Sequence, residues 1–229
     1  MKLVAAFLLA VALPAAALPT HIAAEYEITS LGGLRIGRVS ESFSRKGDRY
    51  AIESTTRSDG ALKVFLDDQV RVESSGSVGA AGLKPERFVQ KRAKDNHRDI
   101  EATFDWTRGV LVSHVGDETK EVPLAEDTQD RLSLMYQFMH LAPAEARISL
   151  SMSNGRKVEK YTYRFVERVT VATPAGEFET LHYARVTEGK ESHADVWLAP
   201  GRFNLPVRMV FDDNKGLRLE QTLVSLQAH

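Results

Sequence analysis

The sequence predicts a mainly β protein of the α+β class: a strongly curved antiparallel sheet, a rolled sheet or half-open barrel, around a single central helix at about residues 127–141. Three observations lead there. Most of the chain alternates apolar and polar residues at the two-residue period of strands, with Gly, Asn and Asp punctuating the runs. One stretch, residues 127–141 (DTQDRLSLMYQFMHL), instead spaces its apolar residues at three- and four-residue steps. The strands number roughly a dozen, more than a flat sheet usually carries, so the sheet has to curl.

The helix comes first because the rest is arranged about it. Leu132, Met135, Tyr136 and Met139 form one face, and Leu134, Phe138 and Leu141 repeat the spacing on an adjoining face. A helix lying on one flat sheet needs an apolar stripe of only about 100°, so this one is expected to be wrapped on more than one side. Asp127 and Asp130 complement its positive end, Asp127 or Thr128 can cap it, and Pro143 stops it. The spacing fits a filled core. It also fits a ligand cavity lined by Leu132, Met135, Phe138 and Met139, because flexible Met side chains suit irregular guests.

Before the helix, residues 25–30, 34–44 and 49–58 are β-compatible runs separated by Gly32-Gly33 and Lys46-Gly47-Asp48 and closed by Asp59-Gly60. In the third, Tyr50 and Ile52 share a face with Ser54 and Thr56, which places that face near a sheet edge or against a wet cavity. Residues 61–66 fit a short helix or a strand, 69–74 resume the β pattern, and Gly76, Gly79 and Gly82 predict a loop. Residues 83–93 pair with 97–106, where Ile100, Phe104 and Trp106 oppose Glu101, Thr103 and Asp105. Val110, Val112 and Val115 continue the meander, Gly116-Asp117 turns it, and 119–124 lead into the helix.

After the helix, Asn154-Gly155 is a strong hairpin signal between residues 147–152 and 156–171. In the second run Tyr161, Tyr163, Phe165, Val169 and Val171 share a face; at about 3.3 Å per residue it approaches 50 Å and must bend. Glu167 falls on that apolar face, where an unpaired carboxylate is costly. A bulge turns it out, an Arg pairs with it, or it joins Phe165 as a polar hook in the cavity. Leu205, Val207, Met209 and Phe211 give another clean face, residues 213–216 turn, and the parity change from Leu217 and Leu219 to Val224 and Leu226 predicts a bulge near Gln221.

At 229 residues, 43% hydrophobic and 27% charged, the chain predicts one domain over residues 18–229. Residues 1–17 read differently: Lys2, the apolar run 3–13 and Pro14-Ala15-Ala16-Ala17 have the basic start, short greasy core and small-residue site of a secretory signal. The run is shorter than the roughly 20 residues of a membrane span. The expectation is export, cleavage near Ala17 and a periplasmic protein with no transmembrane span. A formal net charge of −1 argues against nucleic acid as a partner. With no Cys, a disulfide framework, a thiol nucleophile, a Cys metal site and a lipidated Cys are excluded.

Residues 171–178 (VATPAGEF), Thr180-Leu181, 195–200 (DVWLAP) and Leu205-Pro206-Val207-Arg208, closing on 217–226, resemble the exported envelope-protein family called domain of unknown function 3108. The likeness is densest from about Thr128 to Leu226. It implies an envelope address and brings no activity, substrate or catalytic residue. A curved sheet around a helix also looks like periplasmic lipoprotein-carrier and lipid-binding architectures, an analogy of fold alone.

No catalytic or metal-binding constellation emerges. His21, His97, His114, His140, His182, His193 and His229 lack metal-ligand spacing, no nucleophile elbow or phosphate loop occurs, and residues 212–216 (DDNKG) read as a turn and not a calcium loop. No cofactor and no enzymatic activity are expected. Lys84, Arg87, Lys91, Arg92, Lys94, His97 and Arg98 gather around one hairpin, either as a solvated face or as a reader of anionic groups such as phospholipid headgroups or acidic glycans. The expected function is non-enzymatic binding or carriage of a hydrophobic envelope molecule such as a lipid, in a cavity lined by Leu132, Met135, Phe138, Met139, Phe165 and Glu167. The alternative is an interaction or assembly module for envelope proteins, with a filled core.

Overall fold

The structure, a computed structural model, describes residues 18–30, 32–59, 69–141, 145–187, 192–213 and 215–229. The expected signal segment, the ambiguous stretch 61–66 and Pro143 lie outside the described residues. One sheet dominates. Its strands are β1 (His21–Ser30), β2 (Arg35–Lys46), β3 (Arg49–Ser58), β4 (Gln69–Gly79), β5 (Gly82–Arg92), β6 (Ile100–Asp105), β7 (Val110–Val115), β8 (Glu118–Pro123), β9 (Gln129–Asp130), β10 (Arg147–Ser153), β11 (Val158–Thr173), β12 (Gly176–Arg185), β13 (His193–Ala199), β14 (Leu205–Asp212) and β15 (Arg218–Ala228). They form a 15-stranded sheet in the order β8-β7-β6-β5-β4-β3-β2-β1-β15-β14-β13-β12-β11-β10-β9. The pairs are antiparallel apart from the parallel β9–β10.

That order forces the sheet to roll. Laid flat at about 4.8 Å per strand it would be roughly 70 Å wide, yet its edge strands β8 and β9 are joined through residues 124–128, which reach about 20 Å at most. The sheet does not close by strand pairing, and the seam is bridged by side chains and a turn. Gln129 Nε2 donates to Leu83 O at 2.7 Å, Leu83 N to Gln137 Oε1 at 2.8 Å, and Ser113 Oγ to the carbonyl of Gly155. Gly155 is required there twice over: its φ is +85°, and a Cβ would lie 2.6 Å from the Ile100 side chain.

The central helix is shorter than its spacing predicts. Helix α1 covers Ser133–Gln137 and continues as a 3₁₀ turn over Phe138–His140. Residues 129 and 130 are taken instead as β9 beside Met152 and Ser153; the N-cap position, Leu132, has no capping side chain of its own, and in place of Asp127 or Thr128 the helix start is met by Asp130. Its Oδ1 accepts the backbone N–H groups of Leu132 and Ser133, each at 2.8 Å. The two predicted faces serve the two halves of the roll. Leu132, Tyr136 and Met139 pack with Phe43, Tyr50, Ile52, Phe88 and Leu111 from the first half. Leu134 and Phe138 pack with Ile148, Leu150, Tyr163, Leu181, Tyr183 and Leu198 from the second. A third cluster, around Ala24, Tyr26, Val39, Val207 and Leu223, joins the halves at the β1–β15 pair.

Three local expectations are corrected, and the alternatives left open at Glu167 are decided in favour of a bulge. Gly76 is not in a loop: β4 runs through it with a bulge between Ser75 and Gly76, where a Cβ would meet Lys84 O at 2.1 Å. His97 belongs to the 3₁₀ turn Asn96–Arg98, not to β6. The β15 bulge falls at Val224, between the pairs Glu25–Ser225 and Tyr26–Leu223, because Leu223 keeps the earlier parity. A bulge between Phe165 and Glu167 turns Glu167 outward, where its side chain is 59% exposed.

Candidate functional site

The strands and the helix differ in reach. Ten- to twelve-residue strands such as β1 and β2 run about 33–40 Å, whereas residues 133–140 cover only about 12 Å of the interior. Inward apolar residues near the strand ends therefore lie beyond the helix. A mainly apolar cleft of about 290 Å³ forms there, lined by Ile28, Met135, Tyr163, Ala194, Val196, Met209, Val210, Phe211 and Leu219, with Asp195 and Gln221 as its polar members. Tyr163 reports how dry its wall is: burial pushes its hydroxyl up to about 12.

The cleft's end of the roll carries an apolar rim. Ser30 pairs with Leu219, and Asp212 pairs with both Arg218 and His193, so the turns following β1, β12 and β14 share one end. At that end Leu34, Leu217, Val186 and Phe211 are 64, 47, 45 and 40% exposed. These four large side chains are left in water at the end of the roll where the cleft lies.

Of the six residues predicted to line a cavity, Met135 lines this cleft. Leu132, Phe138 and Met139 are buried in the packed core, with the Phe138 ring edge-on to Tyr163 at 6.2 Å. Phe165 packs edge-on to Tyr183 at 5.7 Å. Glu167 is outside, 3.8 Å from His182 Nδ1. The cleft's other walls, from β1, β13, β14 and β15, were visible in sequence only as inward strand faces such as Met209 and Phe211.

Among the described residues, Glu41 and Asp130 are acids turned into the roll. Glu41 accepts from Ser54 Oγ and from Tyr136 Oη, each at 3.2 Å, and burial pushes its carboxyl up to about 7 against those two bonds. This explains the Ser54 face of β3, which is turned to an acid. Asp130, fully buried, accepts from Ser74, whose hydroxyl also bonds Tyr50 Oη at 3.0 Å; burial raises its pKa while its hydrogen bonds oppose the rise. On the outer face, His182 bonds Asp195 at 2.8 Å and stacks on Trp197 at 4.2 Å, so both ring nitrogens face carboxylates and neither a nucleophile. Among the described residues no group of three or more His, Asp or Glu is placed to hold a metal ion, and no helix is long and apolar enough to cross a membrane.

The chain matches the family described as Protein of unknown function (DUF3108) over residues 25–222. Comparison with curated proteins gives no match. Among solved structures it is similar to the beta-barrel-like protein of domain of unknown function DUF1849 from Brucella abortus, with a TM-score of 0.58, 16% identity and coverage of 93% of this chain and 98% of that one. A lower likeness, TM-score 0.39 at 11% identity over 92% of this chain and 97% of the other, is to a protein provisionally described as a lipoprotein from Parabacteroides distasonis. At these identities the first likeness speaks for the fold, a barrel-like roll.

Proposed function

The chain belongs to the DUF3108 family of proteins of unknown function, and from its cleft we propose that it is an exported, periplasmic, non-enzymatic binding or carrier protein for a hydrophobic envelope molecule such as a lipid. The observation that carries this reading is the coincidence of an apolar cleft with a rim of exposed Leu34, Val186, Phe211 and Leu217 at one end of the roll. Space for roughly ten waters with few polar partners is poorly hydrated and favours an apolar guest. At about 290 Å³ the cleft lies at the small end of ligand sites, which fits the end of one acyl chain better than a whole lipid. Export is supported by the N-terminal segment. A second reading, an interaction module for envelope proteins, draws on the packed clusters around Leu132 and Phe138.

Uptake of a fluorescent long-chain fatty acid, beside native mass spectrometry of protein purified from its own envelope, separates the two. Ala194→Trp fills the cleft from its partly exposed wall without touching the core. The expected result is uptake by the natural protein and a loss of at least about tenfold in Ala194→Trp, with the thermal midpoint held within a few degrees. Absence of uptake and of co-purifying mass in the natural protein, or equal uptake in the variant, leaves the interaction module as the function.

A further inference from the structure

The seam of the roll assembles a second concavity, far more polar than the cleft. Arg92 ends β5, His97 and Arg98 arrive from the turn that follows it, Arg131 from the link into α1, and Asn154 and Arg156 from the β10–β11 hairpin, around a cup of about 430 Å³. Among the described residues that line it, none is acidic. The carboxylates stand behind it: Asp95 lies 3.7 Å from Arg98, Asp99 lies 3.2 Å from Lys91 and accepts the Arg92 N–H, and Asp130 precedes Arg131. Three separate segments thus bring guanidinium groups to one space, whose positive potential favours an anion.

The cup is also rigid where rigidity matters. Arg131 donates to Gln90 Oε1, which is buried, and lies over the Phe88 ring at 5.5 Å, so its fork is held in place while the cup's mouth keeps it open to solvent. Gly155, pinned against Ile100 and Phe88, fixes the hairpin that carries Arg156. Crowding holds the Arg131 guanidinium below its ordinary value, burial first, with Asp130 opposing and Arg92 adding.

We propose that this cup is a binding site for a phosphate or phosphate ester, with the forks of Arg98, Arg131 and Arg156 as its donors. Planar forks match the oxygens of a tetrahedral phosphoryl group two at a time, which a single lysine does not. The inference does not rest on the apolar cleft, and the phosphoryl group can belong to a free ester or to a lipid headgroup.

Calorimetric titration of the full chain with inorganic phosphate and with glycerol phosphate tests the site, and co-sedimentation with phosphatidylglycerol-containing against phosphatidylcholine-only vesicles identifies the source. Arg131→Gln, and the double variant Arg98→Gln with Arg156→Gln on exposed turns, are each expected to weaken binding by about tenfold or more. Arg168→Gln, on an exposed position of β11, is expected to bind as the natural protein does. Binding of the soluble esters with no preference for phosphatidylglycerol assigns a free ester. A vesicle preference lost in the arginine variants assigns a headgroup. Absence of all binding by the natural protein, or binding unchanged in arginine variants whose circular dichroism is native, overturns the proposal.

Discussion

Glu41 is a carboxyl group that burial holds protonated well above the ordinary carboxylate range, against the hydrogen bonds of its neighbours. Its folded pKa of about 7 lies above the ordinary 4.5, so between those values the folded chain retains a proton that the unfolded chain has lost. Its contribution to stability is therefore fullest below about pH 4.5, falls as pH rises from there and levels off above about 7. The loss amounts to at most about 3 kcal/mol, lessened by the solvent that still reaches the group. Urea midpoints at pH 5 and pH 8 are expected to differ for the natural protein and to converge for Glu41→Gln, which keeps the shape and cannot ionise; an undiminished difference in the variant would place the titrating group elsewhere. Glu41 itself was invisible in the strand pattern, because nothing in β2 says that Tyr136, 95 residues away, will point at it. Its partner Ser54 did leave a trace, a polar residue interrupting an apolar face.

At the level of elements, helix spacing was read well and helix length badly. The two apolar faces of residues 132–141 do divide between the two halves of the roll, since a face is a local property of a 3.6-residue period. Length depended on partners far off in sequence: Asp130 leaves the helix because Ser74 and the start of α1 hold its side chain. The candidate site followed the same rule. Met135 was legible because it belongs to the helix, while Ile28, Ala194 and Leu219 line the cleft only because the helix stops short of them. These placements are separable by truncation. Phe138→Ala, fully buried, is expected to cost about 3–5 kcal/mol in urea unfolding, and Met135→Ala, which already faces open space, about 1–2. Equal losses would mean that Met135 is core.

For the whole molecule, the need to curl was readable from strand number, and the family from the motifs between residues 171 and 226. The route was not: β1 to β8 proceed outward to one edge, the chain crosses to the other, and β9 to β15 return. Alternation within a strand carries no information about which strand lies beside it, apart from hairpin turns such as Asn154-Gly155. The meeting of β1 with β15, from His229 O accepting the N–H groups of Thr20 and His21 to Ser30 beside Leu219, is among the described residues the one pairing between strands remote in sequence.

That remoteness sets a timetable. Hairpins between successive strands close short loops and form early, whereas joining β1 to β15 closes a loop of nearly the whole chain, whose entropy is repaid only after both halves have structure. The ladder that unites the halves should accordingly be absent from the transition state. Leu223→Ala, which empties a fully buried position in that ladder, is expected to speed unfolding while changing the folding rate less than about twofold; Leu111→Ala, inside the β6–β7 hairpin, is expected to slow folding instead. Stopped-flow chevrons of the two variants measure this directly, and a φ-value above about 0.5 at Leu223 would show that the halves meet before they are built.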